Sequence, residues 1–352
     1  MWRNSSPTTA SSKKNGTIKK LFAAIATAKV AAKSQLSLTA MGIRRFFNAA
    51  GYFATDSQDF EYMEKDVKVT GSTVSDLRHI GPIGVFDSGY GGLTILREIR
   101  RKLPEYDYLY LGDNARAPYG TRSFDIVYRF TLEAVRYLFS QGCRLVILAC
   151  NTASAKALRT IQQNDLPKID PERRVLGVIR PTVEKVGELT RNGNIGILGT
   201  PGTVQSESYN IEIEKMYGGR LHTYGHGCPM WVPLVENREA DGDGADFFVR
   251  KDIDALMAMN PDIDTVILGC THYPLLLRKI RKYMPEGVNV VEQGSIIADS
   301  LADYLLRHPE MEVRCTKGGC CHYLTTENAS KFSSMASYFL ESDNIEAFHI
   351  TL

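Results

Sequence analysis

Cys150 and Cys270 each stand directly behind a short apolar run, Val146-Ile147-Leu148-Ala149 and Val266-Ile267-Leu268-Gly269. Such runs read as buried strands, so each thiol is expected at a strand's C-terminal end. In open α/β sheets that edge is where ligands bind. Asn151 and Thr152 follow Cys150, and a helix is expected to open near Ser154. A thiol there lies near backbone N–H donors and the positive end of a helix dipole, which favours thiolate. Cys270 is followed by Thr271 and His272, and an imidazole two residues away is a candidate acid/base that can tune the thiol. Taken alone, either cysteine could equally be a small buried hydrophobe. If the two strand ends face each other, the two thiols point into one cleft from opposite sides. They could form a reversible disulfide, which requires Cα atoms within about 7 Å.

Other groups converge on the same edge. Asp87-Ser88-Gly89 ends another apolar run, and Gly91-Gly92 opens the next helix. A carboxylate among small residues allows close backbone approach to a ligand, while an N-cap role for Asp87 carries equal weight. Pro118-Tyr119-Gly120 forms a loop after the second strand. It reads as a binding loop or a plain turn. Thr200 and Thr203 flank the turn after the Ile195 strand, where helix capping is the alternative.

The elements that must hold these groups alternate. Ile83–Phe86, Tyr108–Leu111, Leu145–Ala149, Val175–Ile179, Ile195–Leu198, Thr265–Leu268 and Val288–Val291 read as strands. Helices are expected over Leu93–Leu103, where Leu93, Leu96, Ile99 and Leu103 recur every three or four residues, and over Phe124–Phe139. Near-continuous apolar strands separated by helices indicate a mostly parallel sheet covered on both faces. The pattern also repeats. Ile83-Gly84-Val85-Phe86 resembles Ile195-Gly196-Ile197-Leu198 at an offset of 112, and Val146 to Thr152 resembles Val266 to His272 at an offset of 120. The expected fold class is therefore α/β, with two similar doubly wound, mostly parallel-sheet halves and the active site in the cleft between them. The expected divisions are an N-terminal extension at 1–80, a first α/β domain at 81–180, a second at 181–292, and a C-terminal helical segment at 293–352 that packs back on the first.

Four stretches then point to a family. Asp87-Ser88-Gly89-Tyr90-Gly91-Gly92-Leu93, Gly112-Asp113 with Pro118-Tyr119-Gly120, Cys150-Asn151-Thr152-Ala153, and Gly269-Cys270-Thr271-His272-Tyr273-Pro274-Leu275-Leu276 resemble glutamate racemase, in order and spacing, over about residues 82–345. His226-Gly227-Cys228-Pro229 through Val232-Pro233-Leu234-Val235-Glu236 is similar to the family's segment that carries a catalytic Glu. The resemblance implies cofactor-independent interconversion of L- and D-glutamate by two bases, one per face, supplying D-glutamate for peptidoglycan. It implies that Asp87 assists Cys150, and that His272 with Glu236 assists Cys270. It also implies that Ser88, Tyr119, Gly120, Asn151, Thr152 and Thr271 hold the amino acid's charged ends, with Asp87, His272, Thr200 and Thr203 as further substrate contacts. Two alternatives remain. One is a racemase of the same superfamily acting on aspartate or hydantoins, although the aspartate enzymes tend to carry Glu where this chain has His272. The other is a dithiol redox or amino-acid-binding protein.

No cofactor or metal is expected. There is no Walker A loop, and Asp87-Ser88-Gly89-Tyr90-Gly91-Gly92 is a poor dinucleotide fingerprint. Pattern alone does not exclude a pyridoxal phosphate lysine, but two thiols make one unnecessary. Cys315, Cys320, Cys321 and His322 match no zinc spacing and read as structural, as do His226 and Cys228. Seven cysteines in 352 residues are too few for a disulfide scaffold. Residues 1–55 carry nine Lys/Arg and no acid, which leaves 33 basic against 40 acidic residues in the remainder, a net charge of −7. An acidic body argues against nucleic acid as a partner, and no apolar run is long enough to span a membrane. A small-molecule substrate and a homodimer are expected. The Ser- and Lys-rich segment 1–55, with a basic amphipathic stretch at Leu21–Lys33, reads as a transit peptide, a disordered tail, or sequence upstream of a later start at Met41 or Met63. Cytoplasmic localisation is expected, with an organelle-targeted form as the variant that this segment would allow.

Overall fold

The computed structural model describes residues 80–342 and 345–352, and the expectations for residues 1–79 lie outside them. The chain enters a central strand β1 (Ile83–Asp87), followed by α1 (Gly92–Lys102), β2 (Tyr108–Gly112), α2 (Phe124–Ser140), β3 (Leu145–Leu148), α3 (Asn151–Lys156) and β4 (Arg174–Gly177). A second series follows: α4 (Ile179–Leu189), β5 (Asn194–Gly199), α5 (Pro201–Gln205), α6 (Ser208–Tyr217), β6 (His222–Gly227), α7 (Trp231–Glu236), α8 (Asp243–Met259), β7 (Thr265–Gly269), α9 (Leu277–Tyr283) and β8 (Asn289–Val291). The chain then returns through α10 (Gly294–Arg307), β9 (Cys321–Thr325), α11 (Ala329–Leu340) and β10 (Ala347–His349). The strands form two sheets, ordered β10-β9-β2-β1-β3-β4 and β6-β5-β7-β8. Every pairing between these strands is parallel.

The internal repeat is visible in the pairing. The order β2-β1-β3-β4 recurs as β6-β5-β7-β8. Gly84 faces Val146 in the first sheet, and Gly196 faces Val266 in the second, at the offsets seen in the sequence. Side chains alternate across each sheet because successive residues of a strand point to opposite faces. Val85, Tyr110 and Ile147 pack with Leu93, Leu96 and Ile99 of α1, whereas Phe86, Leu111, Val146 and Leu148 pack with Val127, Val135 and Leu138 of α2. In the second half Ile195, Ile197 and Ile267 meet Val183 and Val186 of α4 and Ile213 of α6, while Leu198, Val266 and Leu268 meet Val249, Ile253 and Leu256 of α8. Each fully buried aliphatic side chain contributes about 1.5–3 kcal/mol relative to exposure.

Two expectations are corrected, and one strand has no counterpart among them. The C-terminal segment is not simply helical, because β9 and β10 extend the first sheet beyond β2. The β9 residues Cys321-His322-Tyr323-Leu324-Thr325 bury only Tyr323 and Thr325, and a strand of five leaves too short an alternation to stand out. The polar strand β6, His222-Thr223-Tyr224-Gly225-His226-Gly227, carries no apolar run because it is the sheet's edge and none of its residues is fully buried. The strand expected over Val175–Ile179 ends at Gly177, and Ile179 opens α4. Val178 and Ile179 are buried, so hydrophobicity alone could not separate strand from helix there. Among the described residues no helix is long and apolar enough to cross a membrane.

A buried polar ring ties the two halves together. Asn151 Nδ2 donates to Gln293 Oε1 at 2.6 Å, Gln293 Nε2 donates to the Tyr209 hydroxyl at 2.9 Å, and that hydroxyl donates to Asn151 Oδ1 at 2.8 Å. Gln293 Nε2 also reaches Thr182 Oγ1 at 2.8 Å. Removing one member leaves buried partners unpaired, at a cost of about 1–3 kcal/mol. Gln293→Leu is therefore expected to destabilise the protein by about 1–3 kcal/mol in urea unfolding. Tyr209→Phe should cost less in that background than alone, because the two share one network. Strict additivity of the two changes would contradict a shared ring.

Candidate active site

The two sheets present their C-terminal strand ends to one another. On the first, Cys150 follows β3 and caps α3: its sulfur accepts the Ala153 N–H at 3.4 Å. Ser88 Oγ lies 3.4 Å from the same sulfur. Asp87 ends β1, with its Oδ2 held by the Gly89 N–H at 2.8 Å. On the second sheet, Cys270 follows β7. Its sulfur lies 3.8 Å from His272 Nδ1, and His272 Nε2 lies 2.9 Å from Glu236 Oε1 at the end of α7. The expected groups of each thiol are thus brought together, and both thiols are nearly closed off, at 5% exposed for Cys150 and 6% for Cys270.

The halves approach closely at Gly91. A Cβ there would collide with Thr271 Oγ1 and His272 Nδ1. The Thr94 hydroxyl donates to the carbonyl of Thr271 at 2.9 Å, which locks the loop after β7 onto the start of α1. A second contact joins the loop after β2 to α5, where the Gly202 N–H donates to the Gly120 carbonyl at 2.8 Å. Beside it the hydroxyls of Thr152, Thr200 and Thr203 form a cluster: Thr200 lies 3.0 Å from both Thr152 and Thr203, and Thr152 lies 3.3 Å from Thr203. Lys156, which the sequence did not single out, brings a buried ammonium against Gly202 and donates to the Arg122 carbonyl at 2.7 Å.

Two expected contact residues have their side chains occupied elsewhere. The Tyr119 hydroxyl donates to the buried carboxylate of Asp113, which also takes Arg116 Nε at 2.7 Å. The Asn151 amide belongs to the ring with Gln293 and Tyr209. What these two residues can offer the cleft is mainly backbone. Gln293 and Tyr209 were missed by sequence reasoning. Gln293 closely follows β8, so the strand-end rule could have flagged it, whereas Tyr209 sits within α6 and carries no such signal.

Electrostatics make the two thiols unlike. Burial pushes the Cys150 thiol up to about 12; the Asp87 carboxylate adds to this, while the Ser88 and Ala153 hydrogen bonds oppose it. Burial alone would depress the His272 imidazole, but its hydrogen bonds to Cys270 and Glu236 and the charges of both outweigh that and push it up to about 10. His272 is therefore held as imidazolium at neutral pH. Asp87 is raised by burial, and His272 is the strongest influence holding it down. Asp87 thus interacts electrostatically with both Cys150 and His272.

Comparison with known proteins places this geometry. The sequence model of the family Asp/Glu/Hydantoin racemase matches residues 85–301. A glutamate racemase of a Ruegeria species is 40% identical over 271 residues, covering 74% of this chain and 97% of that protein. One from Persephonella marina is 44% identical over 217 residues, covering 61% and 79%. Among solved structures, a Bacillus anthracis glutamate racemase superposes with a TM-score of 0.70 at 34% identity, covering 77% of this chain and 98% of that one. A Francisella tularensis glutamate racemase in complex with D-glutamate gives 0.69 at 29% identity, covering 78% and 98%.

The raised His272 pKa has a consequence for stability. Its protonated form is favoured by folding, so the contribution is fully present below the ordinary value of 6.5 and is lost as pH rises towards about 10. Relative to His272→Asn, the wild type's advantage in thermal midpoint should be widest below pH 6.5 and close by about pH 10. Thermal melts across that range check this, and a gap that does not change with pH would mean His272 is not held protonated by its neighbours.

Proposed function

The chain belongs to the Asp/Glu/Hydantoin racemase family and is an amino-acid racemase of the glutamate kind, and from that premise we propose that Cys150 and Cys270 interconvert L- and D-glutamate by a two-base mechanism without a cofactor. The observation that carries this reading is the pair of thiols at matched positions after β3 and β7 of two repeated halves, each with its own proton-handling partners. Inverting a Cα centre means removing its proton from one face and returning one to the other, and a single base does not reach both. Cys270, 3.8 Å from His272 Nδ1, is the base on the second half, with the imidazole as its proton-handling partner. Cys150, pushed up to about 12, is the side that rests as neutral thiol and proton donor. For the opposite enantiomer the roles exchange. Glu236 keeps His272 oriented and charged, and Asp87 assists Cys150.

The binding groups suit a small dianionic amino acid. Ser88, Thr271 and the backbone of Tyr119, Gly120, Asn151 and Thr152 surround the thiols and hold the α-amino and α-carboxylate groups. The Thr152, Thr200 and Thr203 hydroxyls, with the Lys156 ammonium near Gly202, face the side-chain carboxylate. Because both thiols are nearly closed off, substrate entry requires the halves to part, and reclosure removes water from around the reacting carbon. The product is D-glutamate for peptidoglycan. One relative supports that destination: an Escherichia coli glutamate racemase, 28% identical with a TM-score of 0.60 over 76% of this chain and 97% of its own, is in complex with L-glutamate and the activator UDP-MurNAc-Ala.

The test is polarimetry on both enantiomers without added cofactor. Cys150→Ala or Cys270→Ala should each lower racemisation by at least about 100-fold, the lower range for a positioned acid or base; wild-type rates in either would overturn the two-base assignment. Asp87→Asn and His272→Asn should slow kcat unequally for the two enantiomers, each favouring a different direction. Both must lower kcat/KM by the same factor in both directions, because enantiomers interconvert with an equilibrium constant of unity. Equal slowing of the two kcat values would assign these residues to binding or folding.

A further inference from the structure

His226 lies near the end of β6 and Cys228 directly follows that strand, where its N–H still donates to the Gly199 carbonyl at 2.8 Å. Two residues apart on extended chain, they present side chains to the same face. That face is covered by α8, which contributes Asp252. His226 Nε2 lies 3.1 Å from Asp252 Oδ1. One ligand atom from each of His226, Cys228 and Asp252 falls within 4.8 Å of the others, and this is the group of such side chains with metal-compatible spacing among the described residues. Asp252 is 5% exposed, and its second oxygen, Oδ2, is buried without a hydrogen-bond partner. A buried carboxylate oxygen left unpaired is costly, and a cation is the partner that fits it.

We propose that His226, Cys228 and Asp252 form a binding site for a divalent cation of borderline softness, of which zinc is the representative. Imidazole nitrogen, thiolate sulfur and carboxylate oxygen together are a donor set that zinc accepts in tetrahedral geometry, with the fourth position left to water. Coordination releases the thiol proton of Cys228 to solvent as the sulfur bonds the ion. His226, whose side chain is 22% exposed, marks the access path. The site is separate from the racemisation thiols yet wired to them: the Tyr273 hydroxyl donates to the Cys228 carbonyl at 3.3 Å, and Trp231, which opens α7, packs on the Tyr273 ring at a centroid distance of 4.7 Å. A bound ion would tie the edge strand, α8 and the segment leading to Glu236 into one unit. Spacing in the sequence could not show this site, because Asp252 lies 24 residues beyond Cys228 on another element.

The experiment uses the full chain with Cys150→Ser and Cys270→Ser, so that the other reactive thiols in the cleft do not bind the probe. One equivalent of cobalt(II) should give a thiolate-to-cobalt charge-transfer band that one equivalent of zinc abolishes. Adding Cys228→Ser should remove the band, and adding His226→Ala should weaken zinc binding by at least about 100-fold, because even outer partners of a metal site cost about 10–100-fold. In the otherwise unaltered protein, His226→Ala should leave metal-free racemisation unchanged and abolish the rise in thermal midpoint that zinc produces. A band that is absent, or that survives Cys228→Ser, overturns the site, as does zinc affinity unchanged by His226→Ala.

Discussion

Nothing larger than a hydrogen atom fits at Gly91, and the geometry of the site depends on that. The start of α1 in one half touches Thr271 and His272 of the other. The Thr94 hydroxyl then bonds the Thr271 carbonyl. A side chain at this position would push the strand ends apart and separate Asp87 from the His272 imidazolium that most strongly holds its charge. The same logic holds at the second contact, where Gly120 and Gly202 meet backbone to backbone. The two contacts pair the loop after β1 with that after β7, and the loop after β2 with the start of α5 after β5.

The shared framework makes the chemical difference between the thiols informative. Both sulfurs follow equivalent strands and both are buried. Burial and the Asp87 carboxylate keep Cys150 a neutral thiol, against the opposing hydrogen bonds from the Ser88 hydroxyl and the Ala153 N–H. Cys270 has an imidazole that a second carboxylate keeps charged. A repeated scaffold therefore carries unlike partners at its two thiols. Asp87 links them, since it raises Cys150 and is itself held down by His272.

Closure and stability draw on the same residues. The Asn151–Gln293–Tyr209 ring is buried between the halves and engages the residue next to Cys150. A ring of satisfied polar groups fixes one arrangement more tightly than apolar contact does, because every alternative leaves a buried donor or acceptor unpaired. Opening the cleft for a ligand must either spare that ring and hinge around it, or break it. The position of Asn151 at the first turn of α3 means that either motion is felt at the Cys150 cap.

Much of this was legible in the sequence. The apolar runs behind Cys150 and Cys270, their common offsets, and the alternation of strands and helices were sufficient for the fold class and for both thiols, because buried parallel strands are continuous and hydrophobic. Local pattern stopped at the edges. The strands β6, β9 and β10 are partly exposed or short, so burial left no apolar signature in them. It also stopped wherever a side chain had to choose a partner. That Tyr119 turns to Asp113, that Asn151 turns to Gln293, that Asp87 senses His272, and that Asp252 meets His226 are decisions between elements far apart in the chain. Hydrogen bonds and charges act over a few ångströms, and only the packing of the two halves brings those groups within that range.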